Sequence, residues 1–261
     1  MTQETERHVQ SLMSGLQILE AFDQDRGLRL KDLHERTGLN RSRILRFAGT
    51  LRAAGFLEYD ENEGLYFLGP KLYALGWMLH ERFSRISDLV RPGLKRLVKL
   101  NGDTAFYSIV QGTERLVVAR EESPDGLRFT IQEGQTRPLH IGATSKVLLA
   151  FGPDSLMRRV LDDAAMVNDP SGLAADIASV QRQGVAVSRG EATPHGFAVS
   201  VPVPRQGQAG CDALTIAGPL AKLTDELVAI YTDHLTKEAH GLAAALSNVR
   251  GQGGVSLAAA Q

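Results

Sequence analysis

The chain has 261 residues, 43% of them hydrophobic and 23% charged, which suits an ordinary globular protein with room for two domains. Its 29 basic and 30 acidic residues leave a formal charge of −1, which excludes a generally polybasic binder, so any nucleic-acid contact has to be local. The single cysteine, Cys211, excludes an intrachain disulfide framework and a multi-cysteine metal site; it reads as a small buried apolar residue, with a redox or metal sensor as the alternative.

The opening MTQETERHVQ lacks the basic start and apolar middle of a signal peptide, and no run of about 18 apolar residues occurs. No membrane span is expected, and the cytoplasm is the expected compartment. Residues 11–22 are predicted as a helix with Leu12, Leu16, Leu19 and Phe22 on its inward stripe. Residues 30–37 form a second helix with Leu30 and Leu33 inward, and Gly38 stands where a tight turn needs a positive φ. Asn40 is the N-cap of a third helix whose inner face is Ile44, Phe47, Ala48 and Leu51, and Gly55 closes it. Residues 56–59 and 65–68 are predicted strands of a hairpin that turns over 60–64, and Gly69-Pro70 stops it. Residues 71–83 are predicted as a linker helix. Leu72, Leu75, Leu79 and Phe83, with Trp77 and Met78 beside them, are too apolar for solvent and are expected to pack on a second copy.

A new domain is expected from residue 86. Its predicted helices are 88–100, 142–150, 154–161, 174–183 and 222–246. Its predicted strands are 104–110, 116–121, 127–132, 185–188, 197–203 and 213–217. The order suggests an α+β domain around one mixed or antiparallel sheet. The expected layout is therefore a DNA-binding domain over 1–70, a linker helix over 71–85, a second domain over 86–249 and a disordered Gly- and Ala-rich tail over 250–261.

Between Arg36 and Leu57 the chain carries Arg36, Arg41, Arg43, Arg46 and Arg52 and no acidic residue. Three short helices, a glycine turn and a hairpin make this a winged helix-turn-helix, whose second helix enters the DNA major groove. Asn40, Arg41, Ser42, Arg43 and Arg46 are the candidate DNA-binding residues: arginine reads guanine or holds phosphate, and a helix N-terminus favours phosphate. The competing reading is a solvated basic face on a structural helix. Asp60, Glu61 and Glu63 make the wing tip acidic, which repels phosphate.

In the second domain, residues 140–145, HIGATS, open a predicted helix, where free N–H groups and the dipole favour a carboxylate. Gly142 permits close backbone approach, and Thr144 adds a hydroxyl. His140 has two readings, a structural hydrogen-bonder and a ligand contact. Arg137 reads as a surface or strand-edge charge. No G-x-S-x-G elbow, phosphate loop or H-E-x-x-H pair occurs, and the seven histidines are scattered, so neither an enzyme nor a metal site is expected.

Several motifs recur in order: Ser11-Leu12, Gly15-Leu16, Ile18-Leu19, Phe22, Thr37-Gly38-Leu39, Ser42, Ile44, Arg46, Thr50-Leu51, Gly55 and Tyr66-x-Leu68-Gly69. They are followed by GQTRPLHIGATSKVLLA over 134–150, then Gly184, Ala186, Glu191, Gly196, Pro202-Val203 and Gly218-Pro219. With these the chain resembles the IclR family of bacterial transcriptional regulators over about residues 10–247. The resemblance implies a winged helix-turn-helix, a linker helix and a GAF-like effector domain. It implies a homodimer or dimer of dimers on palindromic double-stranded operator DNA, answering to a small organic acid and needing no cofactor. Repressor of a catabolic operon is the expectation, activator the alternative. The resemblance also places a carboxylate on the amides of Ala143 and Thr144, with Arg189, Val199, Thr215 and Ala217 around the pocket. Arg189 stands where the family pattern is acidic or polar, and offers a second carboxylate clamp. A pocket half apolar and half cationic suits an aromatic or medium-sized acid.

Overall fold

The computed structural model describes residues 9–22, 26–122, 131–163, 167–205, 207 and 209–252, and the chain divides into two compact units, Met1–Glu81 and Arg82–Gln261. Most of the strand expected over 127–132, and most of the tail, lie outside the described residues.

The first unit opens with α1 (Gln10–Glu20), α2 (Leu30–Thr37) and α3 (Arg41–Ala53), followed by the antiparallel hairpin β1 (Leu57–Asp60) and β2 (Leu65–Leu68). Gly38 takes φ 67°, the left-handed conformation that the α2–α3 turn requires. Asn40 Oδ1 accepts from the Arg43 N–H at 2.9 Å and so caps α3. At the other end the N–H of Phe56 reaches Leu51 O and that of Gly55 reaches Arg52 O, the paired bonds of a Schellman stop. Ile18, Leu28, Leu33, Ile44, Phe47, Ala48, Leu57 and Tyr66 form the core.

One expectation is overturned here. On α1 the buried residues are Ser14 and Ile18, while Leu12 and Leu16 are exposed and Leu19 is half-buried against the core. The apolar stripe was wide enough to support two faces. Tertiary contact chose the one carrying Ser14, whose hydroxyl serves an arginine of α3.

Helix α4 (Pro70–Asn101) begins in the first unit and ends in the second, with Pro92 inside it. Sequence reading divides it near Ile86. The helix continues because Ile86, Val90, Leu94 and Leu97 fall on one stripe and are buried in the main core of the second unit. That burial outweighs the hydrogen bond lost at Pro92.

The second unit then runs β3 (Thr104–Gln111), β4 (Glu114–Glu121), β5 (Thr136–Pro138), α5 (Ala143–Ala150), α6 (Asp154–Leu161), α7 (Pro170–Gln183), β6 (Ala186–Arg189), β7 (Gly196–Pro204), β8 (Cys211–Pro219) and α8 (Asp225–Gln252). The sheet is six-stranded in the order β5-β4-β3-β8-β7-β6, and every pairing is antiparallel, which resolves the mixed-or-antiparallel expectation. Tyr107, Ile109, Val199, Val201, Leu214 and Ile216 share one core with α4 and α8. The α5–α7 layer forms another, with Leu139, Ala186, Cys211 and Ala213. Phe106, Val117, Ile131 and Ala217 form a small third cluster, and Ala198 packs against both it and the α5–α7 core.

Removing the Asn40 cap isolates one orphan donor at the start of α3. Asn40→Ala should cost about 1 kcal/mol and raise amide exchange across the first turn of α3 about fivefold, measured by hydrogen–deuterium exchange. Asn40→Gly should cost only tenths of that.

Candidate functional site

Two surfaces collect the candidate residues, one in each unit. On α3, Arg41, Ser42, Leu45, Arg46 and Gly49 are exposed on the side opposite the core. Arg46 lies with its guanidinium 5.0 Å from the Phe47 ring centroid. Arg43 is half-buried instead: its Nη2 donates to Ser14 Oγ at 3.0 Å, and its guanidinium is 5.8 Å from the same ring. Ser14 Oγ in turn donates to Gln10 O. Arg43 therefore ties α3 to α1, while Arg41 and Arg46 are exposed, as is Arg52 in the last turn, whose guanidinium lies 5.1 Å from the Tyr59 ring centroid. Leu45, 52% exposed, is an apolar side chain in the middle of this face that sequence reading did not single out. Its signal was its place off the Ile44–Phe47–Ala48–Leu51 stripe. At the wing tip Asp60 Oδ1 accepts from the N–H groups of Asn62 and Glu63, so that carboxylate serves the turn, and Glu61 and Glu63 are exposed.

In the second unit a small pocket of about 30 Å³ opens beside the N-terminus of α5. Phe106, Ile131, Ala198 and Ala217, the small third cluster, line its floor; Ile141 and Phe197 add apolar wall. Gly142, Ala143 and Thr144 supply the helix end. Gly142 holds φ 85°, a conformation that favours glycine, and a Cβ there would crowd Ala192 Cβ at 3.1 Å. The first N–H groups of α5 have no partner inside the helix, and Gly142 has no side chain to cap them.

Two guanidiniums complete the lining. Arg115 on β4 and Arg137 on β5 are Cα partners across the antiparallel pair, an arrangement that places like charges opposite one another. Arg137 Nη1 donates to Ala192 O at 2.6 Å. Arg115 is only 6% exposed, its guanidinium sits 5.6 Å from the Phe106 ring centroid, and its Nε and Nη1 are buried without a hydrogen-bond partner. Burial, and after it the charge of Arg137, pushes its pKa down to about 10, so it remains a cation at neutral pH. The lining residues include no acid.

Of the residues named from the sequence, the pocket brings together Gly142, Ala143, Thr144 and Ala217. It does not include the other four. Val199 is fully buried in the core on the opposite face of the sheet, because successive residues of β7 alternate and Ala198 takes the pocket side. Thr215 lies beneath α5, where its Oγ1 is 3.0 Å from Thr144 Oγ1 and 2.9 Å from Ser200 Oγ. That engages the Thr144 hydroxyl in the protein and leaves its backbone amide for a ligand. Arg189 ends β6 with its Nη2 3.2 Å from Asp225 Oδ1. His140 is half-buried with Nδ1 unpartnered, outside the lining. Sequence reading missed Arg115, which fell between the predicted turn and strand, and took Arg137 for a surface charge. The pairing depends on β5 (Thr136–Pro138), a strand the sequence analysis did not predict, so no local signal pointed to it.

Cys211 is buried, with Sγ 3.7 Å from Val147 O, and burial together with the neighbouring Asp212 pushes its thiol up to about 12. Such a thiol stays protonated and unreactive at neutral pH. Among the described residues no three histidine, cysteine or acidic side chains gather as metal ligands, and no helix is long and apolar enough to cross a membrane.

Residues 83–248 match the family model of the bacterial transcriptional regulator IclR C-terminal domain, and residues 11–61 match that of the IclR helix-turn-helix domain. BhcR of Paracoccus denitrificans, an HTH-type transcriptional regulator, is 24% identical over 241 residues, 90% of this chain and 86% of that one. The DNA-binding transcriptional repressor YiaJ of Escherichia coli is 31% identical over 159 residues, 59% of this chain and 56% of that one. Among solved structures, the transcriptional regulator of this family from Alicyclobacillus acidocaldarius is 27% identical with a TM-score of 0.70, covering 91% of this chain and 99% of that one. A homolog from Microbacterium hydrocarbonoxydans, complexed with 4-hydroxybenzoate, has the same fold at 22% identity, with a TM-score of 0.67 and coverage of 91% and 99%.

A buried cation facing a second cation should burden the ligand-free protein. Arg115→Met keeps an unbranched chain along Phe106 and removes the charge. It should raise the melting temperature of the ligand-free chain by about 2–4 °C in differential scanning calorimetry. A fall would mean that the guanidinium is already compensated.

Proposed function

The chain belongs to the IclR family of bacterial transcriptional regulators, and from that premise we propose that it represses a catabolic operon until a small carboxylic acid enters the pocket of its second unit. The observation that carries the effector reading is Arg115, a buried cation on the pocket wall whose Nε and Nη1 lack partners. A carboxylate supplies what that guanidinium lacks. The amides of Ala143 and Thr144 offer a further anion contact, and Phe106 with its apolar neighbours favours an acid with a flat or hydrocarbon body. The neighbour that holds 4-hydroxybenzoate supports an aromatic acid. Repression is the sign we adopt, in keeping with YiaJ.

The operator contacts we assign are Arg41, Ser42 and Arg46, with Asn40 orienting the first turn of α3 toward phosphate. Leu45 suits a thymine methyl group. Arg43 takes a positioning role through Ser14. A palindromic operator requires a two-fold protein, and exposed apolar residues on α1 (Leu12, Leu16), at its N-cap (Val9) and on α4 (Tyr73, Trp77, Met78) offer the surface for a homodimer, or for a dimer of dimers. The acid alters DNA binding to the extent that its affinity differs between the DNA-competent and DNA-incompetent states.

Selection of duplexes from a random library by the full chain should recover inverted repeats. On the selected site Arg46→Ala should weaken binding by about 1–3 kcal/mol and relax one base pair per half-site; a uniform loss over all sequences would make it a phosphate contact. Light scattering should give at least a dimer, and the double change Trp77→Glu with Met78→Glu should shift it to monomer.

A further inference from the structure

A pocket of about 30 Å³ has room for roughly one or two water molecules, whereas sites that enclose an organic ligand run to about 300–1,000 Å³. An acid that reaches Arg115 therefore has to displace part of the protein. The segment that covers the site is the connection between β6 and β7, Gly190 to His195, which contributes Ala192 and Thr193 to the lining.

This connection leaves one edge of the sheet, where β6 is the last strand, and is held by an arginine of β5, the strand at the opposite edge. Arg137 Nη1 donates to Ala192 O at 2.6 Å. The Ala192 methyl lies against Gly142, the N-cap of α5, since a Cβ on that glycine would stand 3.1 Å from Ala192 Cβ. Ala192 thus covers two anion-seeking elements at once, its carbonyl on the guanidinium and its methyl on the helix end. The segment is fastened at further points. Glu191 pairs with Lys146 of α5 at 2.9 Å, the Gly190 N–H donates to Gly196 O at 2.7 Å, and the Leu220 N–H donates to His195 O at 2.7 Å. Both ends are left-handed, with φ 77° at Gly190 and 61° at His195, and His195 is the only non-glycine with positive φ among the described residues. A side chain in that conformation is strained and is kept there by the surrounding contacts.

We infer that the strap Gly190–His195 is the chain's own occupant of the anion site, and that the effector binds by displacing it, its carboxylate taking the place on Arg137 that the Ala192 carbonyl holds. This rests on the acid-sensing reading above and adds what the acid must move. The exchange favours the acid, because a carboxylate makes a charge-assisted and bidentate pair with a guanidinium where a peptide carbonyl makes one bond. It also brings negative charge to Arg115, whose Nε and Nη1 the strap leaves without partners. Opening releases the strained backbone at His195. The strap's ends meet the approach to α8, through Leu220 and through the Arg189–Asp225 pair at 3.2 Å, so displacement alters contacts at the helix that shares the main core with α4. Because the closed strap competes with the ligand, the observed affinity is the intrinsic one reduced to the open fraction, and loosening the strap tightens binding.

The first measurement needs no ligand. In hydrogen–deuterium exchange of the full-length chain read by NMR, Arg137→Gln should speed the Gly190, Gly196 and Leu220 amides about tenfold, the loss of one charged hydrogen bond, and leave the β7–β8 ladder unchanged. Unchanged exchange at those three amides would overturn the strap. The second measurement is isothermal titration with benzoate, 4-hydroxybenzoate and hexanoate. Glu191 is outside the lining, and Glu191→Gln leaves Lys146 its bond to Asp176 at 2.7 Å. That variant should bind an acid about 3- to 5-fold tighter than the unaltered chain, and saturating acid should speed exchange at the same three amides. Unchanged or weaker affinity in Glu191→Gln, or slower strap exchange in the complex, would overturn displacement while leaving the acid site in place. If no acid binds either chain and DNA binding is intact, the acid-sensing reading fails and this inference fails with it.

Discussion

Successive residues of a β-strand point to opposite faces of the sheet, and the second unit depends on that constraint throughout. Tyr107 and Ile109 of β3 go to the core shared with α4 and α8, while Phe106 goes to the pocket. Val199 and Ile216 go one way, Ala198 and Ala217 the other. The large side chains fill the thick core, and the small ones, alanine at 198 and 217, leave a small hollow on the other face. The same alternation puts Arg115 and Arg137 side by side, because they are register partners on neighbouring antiparallel strands.

That arginine pair is a local conflict in an otherwise consistent fold. Like charges opposite each other on a sheet are unfavourable, and a buried guanidinium lacking partners is more so. Departures of this kind gather at functional sites, where a ligand supplies the missing partner. In the proposed acid-sensing role, an anion would stabilise the occupied state by partnering the Nε and Nη1 of Arg115. Binding energy of that origin is available to bias one arrangement of a regulator over another.

In the first unit the arginines divide the work. The run of basic residues looks uniform in the sequence, yet Arg43 spends its guanidinium on Ser14 and Phe47 while Arg41 and Arg46 face outward. The cap at Asn40 and the Schellman stop at Gly55 fix where α3 starts and ends, and therefore which of its residues stand on the exposed face.

What the sequence determined by itself is whatever local chemistry decides. The turn at Gly38, the cap at Asn40, the bounds of α2 and α6, the Gly142 entry to α5 and the Gly184 stop after α7 all follow from neighbours in the chain. So does the anion-seeking helix end, since the orphan amides belong to a few consecutive residues. Tertiary structure decided the rest, because it depends on residues far apart. It chose the Ser14 face of α1, carried α4 through Pro92 on the burial of Ile86, Val90 and Leu94, and turned Val199 and Arg189 away from the pocket. It also brought Arg115 beside Arg137. No local signal marks an arginine at the edge of a turn as the charge that a pocket is built around; strand register alone sets it opposite its twin and closes it from water.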